Sequence, residues 1–265
     1  MKLTLIITTY NWPEALLLVM KSIEGQVILP DEVIVADDGS SKKTKDLIND
    51  FNKKSKLSII HSWQEDIGFR ASRSRNNAIL KATGDYIILI DGDTILHDNF
   101  VKDHIANIES GFFVQGSRVL LSEKQTKITL SKKLVNFSFL TLGLKNRKNC
   151  IHSKLLARIF SNKKNHLRSI KSCNMAFYRK DCLHVNGFNH DFEGWGREDS
   201  EFVARLFNYG VKRKNIRFNA IQFHLWHNEN SRLSLERNDA MLKEVINKDI
   251  KWCENGINLI ENGES

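Results

Sequence analysis

Residues 68–93 read GFRASRSRNNAILKATGDYIILIDGD. The stretch ASRSRNNAILKATG has the composition of a helix, with Gly84 placed to close it as a left-handed cap. Residues 86–90 then form a largely apolar run that predicts a buried strand. That strand ends on Asp91 and Asp93, separated only by Gly92. In an extended segment residues i and i+2 point to the same side, so the two carboxylates share one space. Close carboxylates repel, and one tends to protonate unless a cation compensates.

The same rhythm extends towards the N-terminus. LTLIIT (3–8) is a short apolar strand, and WPEALLLVMKSIEGQ (12–26) has apolar residues at helical spacing with Pro13 near its start. DEVIVADDGS (31–40) is a strand ending in Asp37-Asp38-Gly39-Ser40. KKTKDLINDFNKK (42–54) is an amphipathic helix and KLSIIHS (56–62) a third strand. Strands alternating with helices predict an α/β fold with a mostly parallel central sheet and helices on both faces. Ligands of such sheets sit at the carboxyl ends of the strands. The polar clusters Thr8-Thr9-Tyr10-Asn11, Asp37-Asp38-Gly39-Ser40 and Asp91-Gly92-Asp93 all lie there. No GxGxxG follows the first strand and no GxxxxGK[ST] occurs, which argues against a dinucleotide oxidoreductase and a P-loop enzyme.

GFFVQGSRVLLS (111–122) predicts one more strand, and then the alternation breaks. Residues 122–171 are basic and expected to be helical, with an apolar stretch at LVNFSFLTLGL (134–144). SCNMAFYRKDCLHVNGF (172–188) predicts a strand and a short helix, GWGREDSEFVARLFNYG (194–210) a loop, a helix and a glycine stop. RFNAIQFHLWH (217–227) is a late strand and ERNDAMLKEVINKDIKWCENG (236–256) a C-terminal helix.

The net charge of +9 is unevenly placed. Residues 118–171 hold fourteen Lys and Arg and one acid, Glu123, a net +13; the remaining residues carry −4. A block of one sign suggests an anionic partner. No signal peptide is visible, and no apolar run approaches the ~20 residues that cross a bilayer. The four cysteines are scattered without a CxxC pair, so reduced thiols are expected rather than a zinc site.

His224 and His227, in FHLWH, would complete a mixed oxygen and nitrogen metal site if they met the carboxylate pair. Imidazole favours a transition metal such as Mn²⁺ over Mg²⁺ or Ca²⁺. In GWGREDSEF, Trp195 lies between two glycines and Glu198-Asp199 start a helix. The acids could simply complement the helix dipole. A carboxylate beside an aromatic platform is also how a protein holds a sugar and takes a proton from its hydroxyl.

The chain resembles a family 2 glycosyltransferase of the GT-A fold, in the bacterial branch whose C-terminal region is similar to that of galactosyltransferases. The resemblance rests on IITTYNWPEALLLVMKSI, DEVIVADDGS, GFRASRSRNNAILKATGDYIILIDGD, CNMAFYRKD, VNGFNHDFEGWGREDSEFVARL and FHLWH, in that order over most of residues 3–227. One departure is GFNHDF, where the family often has Gly-Phe-Asp-Glu, which leaves the acceptor contacts there open. The resemblance implies a single Rossmann-like catalytic domain over 1–265. Residues 1–117 would be its nucleotide-sugar-binding half, 118–171 a helical basic insertion, and 172–265 the acceptor-side half with a C-terminal helix. It implies that Thr9, Tyr10, Asn11, Asp37, Asp38 and Arg75 hold the nucleotide and that Asp91 faces the ribose or donor sugar. Asp93, with His224 and His227, would hold Mn²⁺ or Mg²⁺. Asp199 would be the catalytic base, with Trp195 and Glu198 shaping the donor-sugar and acceptor pocket. The implied activity is inverting transfer of a hexose-type sugar from a UDP-sugar to a glycan or glycolipid hydroxyl, in bacterial surface polysaccharide or lipopolysaccharide synthesis. The implied location is cytoplasmic and peripheral at the inner face of the plasma membrane, and the basic segment makes an anionic membrane surface a candidate partner. No nucleic acid partner is expected. The competing reading is a non-catalytic module binding anionic surfaces or nucleic acid, which has no need of the DxD, ED and HxxH set. A sugar-phosphate nucleotidyltransferase would want a glycine-rich phosphate loop after the first strand, and TTYNWPEA is not one.

Overall fold

Short, near-continuous apolar runs, separated by helices, build the first third of the chain. The computed structural model describes residues 1–228, 231–261 and 263. It places β1 (Leu3–Thr9), α1 (Pro13–Glu24), β2 (Glu32–Asp37), α2 (Lys42–Asn52), β3 (Ile59–Trp63), α3 (Ala71–Lys81) and β4 (Tyr86–Asp91) in the expected alternation. β1 pairs in parallel with both β2 and β4, and β2 with β3. Successive residues of these strands point to opposite faces and enter two different cores. Leu5, Ile7, Val33, Val35, Ile88 and Ile90 pack with Leu16, Val19 and Met20 of α1. Ile6, Ile34, Ile87 and Leu89 pack on the other face with Ile79 of α3.

The chain continues through β5 (Thr94–Leu96), α4 (Phe100–Asn107), β6 (Phe112–Gln115), β7 (Val119–Leu121), α5 (Glu123–Lys132), β8 (Leu144–Lys145) and α6 (Lys154–Phe160). Then come β9 (Asn174–Tyr178), α7 (Arg179–His184), α8 (Glu198–Tyr209), β10 (Lys212–Asn215), β11 (Gln222–His224), α9 (Leu235–Asn247) and α10 (Ile257–Glu261). The main sheet runs β10-β6-β9-β4-β1-β2-β3, with β9 antiparallel to its neighbours. A smaller sheet, β5-β11-β7-β8, sits on its own apolar cluster around Ile95, Val119, Phe223 and Leu225. The two carboxylates therefore lie where the chain passes from β4 in one sheet to β5 in the other.

Three expectations change. Gly84 does not adopt a left-handed cap: α3 ends at Lys81, with Ala82 extended at φ −68° and ψ 132°. Gly84 is required instead for close approach, because a Cβ there would lie 2.4 Å from Thr4 Oγ1 and 2.8 Å from Thr4 N. Residues 111–122 form two short strands in different sheets, not one. The basic segment is helical in α5, α6 and a short 3-10 turn at Arg147–Cys150; most of the rest is irregular. Its apolar stretch is held by tertiary packing, with the Phe137 ring 4.7 Å from Phe223. The four cysteines are buried and unpaired.

Candidate functional site

Gly92 is the small residue that lets β4 end as it does. Its N–H donates to Thr8 O at 2.7 Å, and a Cβ at that position would come within 2.8 Å of Thr9 Oγ1. The turn thus presses against the end of β1, with Asp91 and Asp93 on either side. Thr9 is buried.

Asp93 meets both histidines. Its Oδ2 lies 3.5 Å from His224 Nε2 and 3.3 Å from His227 Nε2, and one ligand atom from each of the three residues falls within 4.8 Å of the others. β11 brings His224 opposite Thr94, and Leu225 N donates to Asp93 O, so backbone pairing sets this meeting. Trp12 stands edge-on to the His227 ring. Burial, the Arg118 charge and the neighbouring His227 hold His224 well below its usual basicity, which leaves a neutral imidazole with a lone pair to give. Asp93 Oδ1 is buried with no hydrogen-bond partner among the described residues. Burial holds both carboxyls above the ordinary range, and for Asp91 the neighbouring Asp93 charge adds to it. An orphaned carboxylate oxygen, a second acid beside it and two imidazoles form a donor set that fits a divalent transition metal.

Arg75 links this centre to the start of α8. It is almost fully buried, over the Phe188 ring at 5.2 Å. Its Nη1 lies 3.2 Å from Asp199 Oδ1 and 3.7 Å from Glu198 Oε1, and its Nη2 is 4.0 Å from Asp91 Oδ1. One guanidinium thus serves three carboxylates. The other Asp199 oxygen accepts from Ser172 N at 2.8 Å. Glu198 Oε2 accepts from Gly196 N, while burial and the Asp199 charge raise the Glu198 carboxyl above its usual range. Trp195 is partly exposed, with the Arg232 guanidinium 5.8 Å from its ring. The loop reaches it through left-handed residues at Gly194, Gly196 and Arg197 (φ 74°, 113° and 76°). α8 is fixed from within by Arg205, which is fully buried, bonds both oxygens of Glu201 at 2.7 Å and donates to Gly187 O at 2.8 Å.

The remaining predicted residues lie at the other strand ends. Tyr10 is exposed and donates to Asp66 Oδ2. Asn11, at φ 44°, accepts from Ser41 N through its side chain and donates from its backbone to Ser40 Oγ. Asp37 is fully buried, with one oxygen on Ser40 N and the other 2.7 Å from His61 Nε2. Asp38 accepts from Gln64 Nε2 and Arg70 N, and burial still raises its pKa. Both acids are thus engaged in shaping their loop.

Sequence reading missed Arg118 and Lys171, the two ends of the basic block. Arg118 acts electrostatically on Asp91, Asp93 and His224, and Lys171 on His224. Both were visible only as units of a charge count; their position comes from β6–β7 and the entry to β9.

The family model "Glycosyl transferase family 2" matches residues 4–185, and "N-terminal domain of galactosyltransferase" matches 156–228. A hyaluronan synthase of Pasteurella multocida is 29% identical over 237 residues, 81% of this chain and 24% of the synthase. A chondroitin synthase of Escherichia coli is 25% identical over 81% of this chain and 33% of its own length. The chain therefore spans about a quarter to a third of these two relatives. The crystal structure of S. aureus TarS 1-349 in complex with UDP superposes with a TM-score of 0.63 at 15% identity, covering 93% of this chain and 66% of that one. The fold is thus the GT-A fold, and the chain belongs to glycosyl transferase family 2.

Proposed function

We propose that the chain is an inverting, metal-dependent transferase. It moves a hexose-type sugar from a UDP-linked donor to a hydroxyl of a glycan or glycolipid acceptor, in bacterial surface polysaccharide or lipopolysaccharide synthesis. The observation that carries this reading is the convergence of Asp93, His224 and His227 beside the Asp91–Arg75–Asp199 bridge. Relatives with polysaccharide synthase names and a neighbour solved with UDP support the donor and acceptor classes.

In this reading Asp93, His224 and His227 hold Mn²⁺ or Mg²⁺. Bound there, the ion supplies positive charge to the departing diphosphate. Arg118 and Lys171 add fixed cations on the same side. Thr9, Tyr10, Asn11, Asp37 and Asp38 form the wall for the nucleoside, and Asp91 faces the ribose or donor sugar. Asp199 takes the acceptor proton as its oxygen attacks the anomeric carbon from the face opposite the diphosphate. Arg75 and Ser172 N keep that carboxylate oriented, and Trp195 and Glu198 border the sugar. A single displacement gives a β-linked product from an α-linked donor. Residues 1–117 would serve the donor, 172–265 the acceptor, and 118–171 would border the acceptor side, all within one catalytic domain. A panel of UDP-sugars tests the reading directly: hydrolysis or transfer of one member should require Mn²⁺ or Mg²⁺. Equal turnover in EDTA, or none with any member, would overturn it.

The basic segment fits an anionic membrane surface at the cytoplasmic face. No helix among the described residues is long and apolar enough to cross a membrane. Leu140 and Leu142 are 81% and 78% exposed, in a loop flanked by Lys132, Lys133, Lys145 and Lys148. Apolar side chains of this kind enter the interface, while lysines near anionic headgroups contribute about 1 kcal/mol each. Co-sedimentation with anionic vesicles should fall with salt and fall further when those four lysines become Gln. Equal binding by the variant, or none by the parent protein, would remove the membrane from the proposal.

A further inference from the structure

A cleft of about 310 Å³ lies between the start of α3, the loop before Trp195 and the turn at Asn255. Its lining is rich in hydrogen-bond donors that lack acceptors. α3 has eleven residues and begins after Arg70 with no side-chain cap. The first backbone N–H to find a partner in the helix is that of Ser74, which donates to Arg70 O. The N–H groups of Ala71, Ser72 and Arg73 therefore have no intrahelical acceptor, and the helix dipole leaves positive charge there.

Side chains point the same way. Ser72 is 1% exposed, lines the cleft, and its hydroxyl has no partner among the described residues. Arg70 Nε is buried and likewise unpartnered. Buried polar groups are costly to leave unpaired, so both call for an acceptor. Arg73 lines the cleft and makes no ion pair among the described residues. His190 supplies one more donor. The Asn76 amide is fixed in orientation, because its Nδ2 donates to Phe188 O and its Oδ1 accepts from Phe188 N. Nδ2 must then donate to His190 Nε2 as well, at 2.8 Å. The neutral ring therefore carries its proton on Nδ1.

Acids are present but do not dominate. Asp191 accepts from Asn255 Nδ2 at 2.7 Å, and Glu193 is exposed at the rim. Burial and then Arg73 lower the His190 pKa to about 4, ahead of the opposing influence of Asp191. Arg70 acts on the ring in the same direction as Arg73.

We propose that this cleft binds a phosphoryl group through Ser72, Arg73, His190 and the open start of α3. Donors arriving from a helix end, a hydroxyl, a guanidinium and an imidazole match the several oxygens of a phosphate better than the two of a carboxylate. The group is carried on the acceptor or present as free phosphate. Placement favours the acceptor: residues 190–193 lead straight into Trp195, Glu198 and Asp199, and Arg75, one turn along α3, bridges to Asp199. That assignment rests on the transferase reading, whereas phosphoryl binding does not.

The experiment is a phosphorus-31 NMR titration of inorganic phosphate with the full chain, saturated with UDP and Mg²⁺ to occupy a donor site. Saturable broadening of the phosphate line is expected. Arg73→Gln, at a half-buried position, should weaken it by about 5- to 10-fold, the loss of one charge-assisted bond, with UDP binding unchanged. Ser72→Ala should weaken it less, with thermal melting as the check on folding. Glycerol 3-phosphate should displace the phosphate if the group is borne on an acceptor; saturable broadening that glycerol 3-phosphate leaves unchanged assigns the cleft to the free anion, and either supports the site. No broadening, equal broadening in Arg73→Gln, or binding that UDP abolishes would overturn it. Loss of transferase activity in every assay would leave this binding result standing, so the two failures are separable.

Discussion

Asp199→Asn should lower sugar transfer by at least ~10²-fold, in line with the contribution of a positioned general base, while UDP binding persists. Asn keeps the shape of the side chain but cannot accept a proton. The structure adds a second consequence. Asp199 receives Arg75 Nη1 on one oxygen and Ser172 N on the other. An amide presents one acceptor, so one of these donors would face an NH₂ group. A folding cost of about 1–3 kcal/mol follows from leaving such a donor unpaired, and thermal melting will read it apart from catalysis. Glu198→Gln is the informative partner. The Glu198 carboxyl is held above its ordinary range by burial and by Asp199, so near neutral pH it already spends part of its time protonated, and its replacement should cost less. A larger loss in Glu198→Gln than in Asp199→Asn would move the base to Glu198. Loss of UDP binding in Asp199→Asn would make that residue a donor ligand instead.

What could be read from the chain divides along sequence distance. β1 to β4 and α1 to α3 were legible because each is decided locally, by a short apolar run or a period of 3.6 and by the turn residues between. β10 was not: Lys212–Asn215 reads KRKN, with no apolar signal, and becomes a strand only because it pairs with β6 at the sheet edge. Residues 134–144 misled for the opposite reason. Their apolar side chains suggest a helix face, but Val135 and Phe137 are claimed by the cluster around Phe223 while Leu140 and Leu142 remain exposed. In the site, Asp91 and Asp93 were visible as an i, i+2 pair and His224 and His227 as a triplet spacing. The contact between Arg75 and Asp199 crosses 124 residues and has no local trace. Arg75 could be placed among nucleotide-binding residues by resemblance; its position between three carboxylates could only be seen once β1, β4 and α8 were assembled. Arg118 and Lys171 were hidden by their neighbours, since in a run of fourteen cations no one charge stands out.

Asp93→Ala should reduce Mn²⁺ affinity by more than ~100-fold, beyond the loss seen when only an outer partner of a metal ligand is removed, and should reduce transfer by about 10³-fold, the scale of losing charge stabilisation at a leaving group. The fold should survive. The structural bond at this residue runs from Leu225 N to the backbone O of Asp93, which the substitution keeps. Asp93 Oδ1 has no partner to lose, and removal of one of two close carboxylates relieves the repulsion that helps hold Asp91 above its ordinary range. A stable but inactive variant is therefore the expected result, and an unstable one would mean that the carboxylate is there for packing. His227→Ala should follow the same course more mildly, because Asp93 and His224 would still meet at 3.5 Å. Calorimetric titration with Mn²⁺ separates binding from turnover. If Asp93→Ala takes up the ion as tightly as the parent protein, or works fully in EDTA, the carboxylates at the end of β4 serve Arg75 and the strand turn alone.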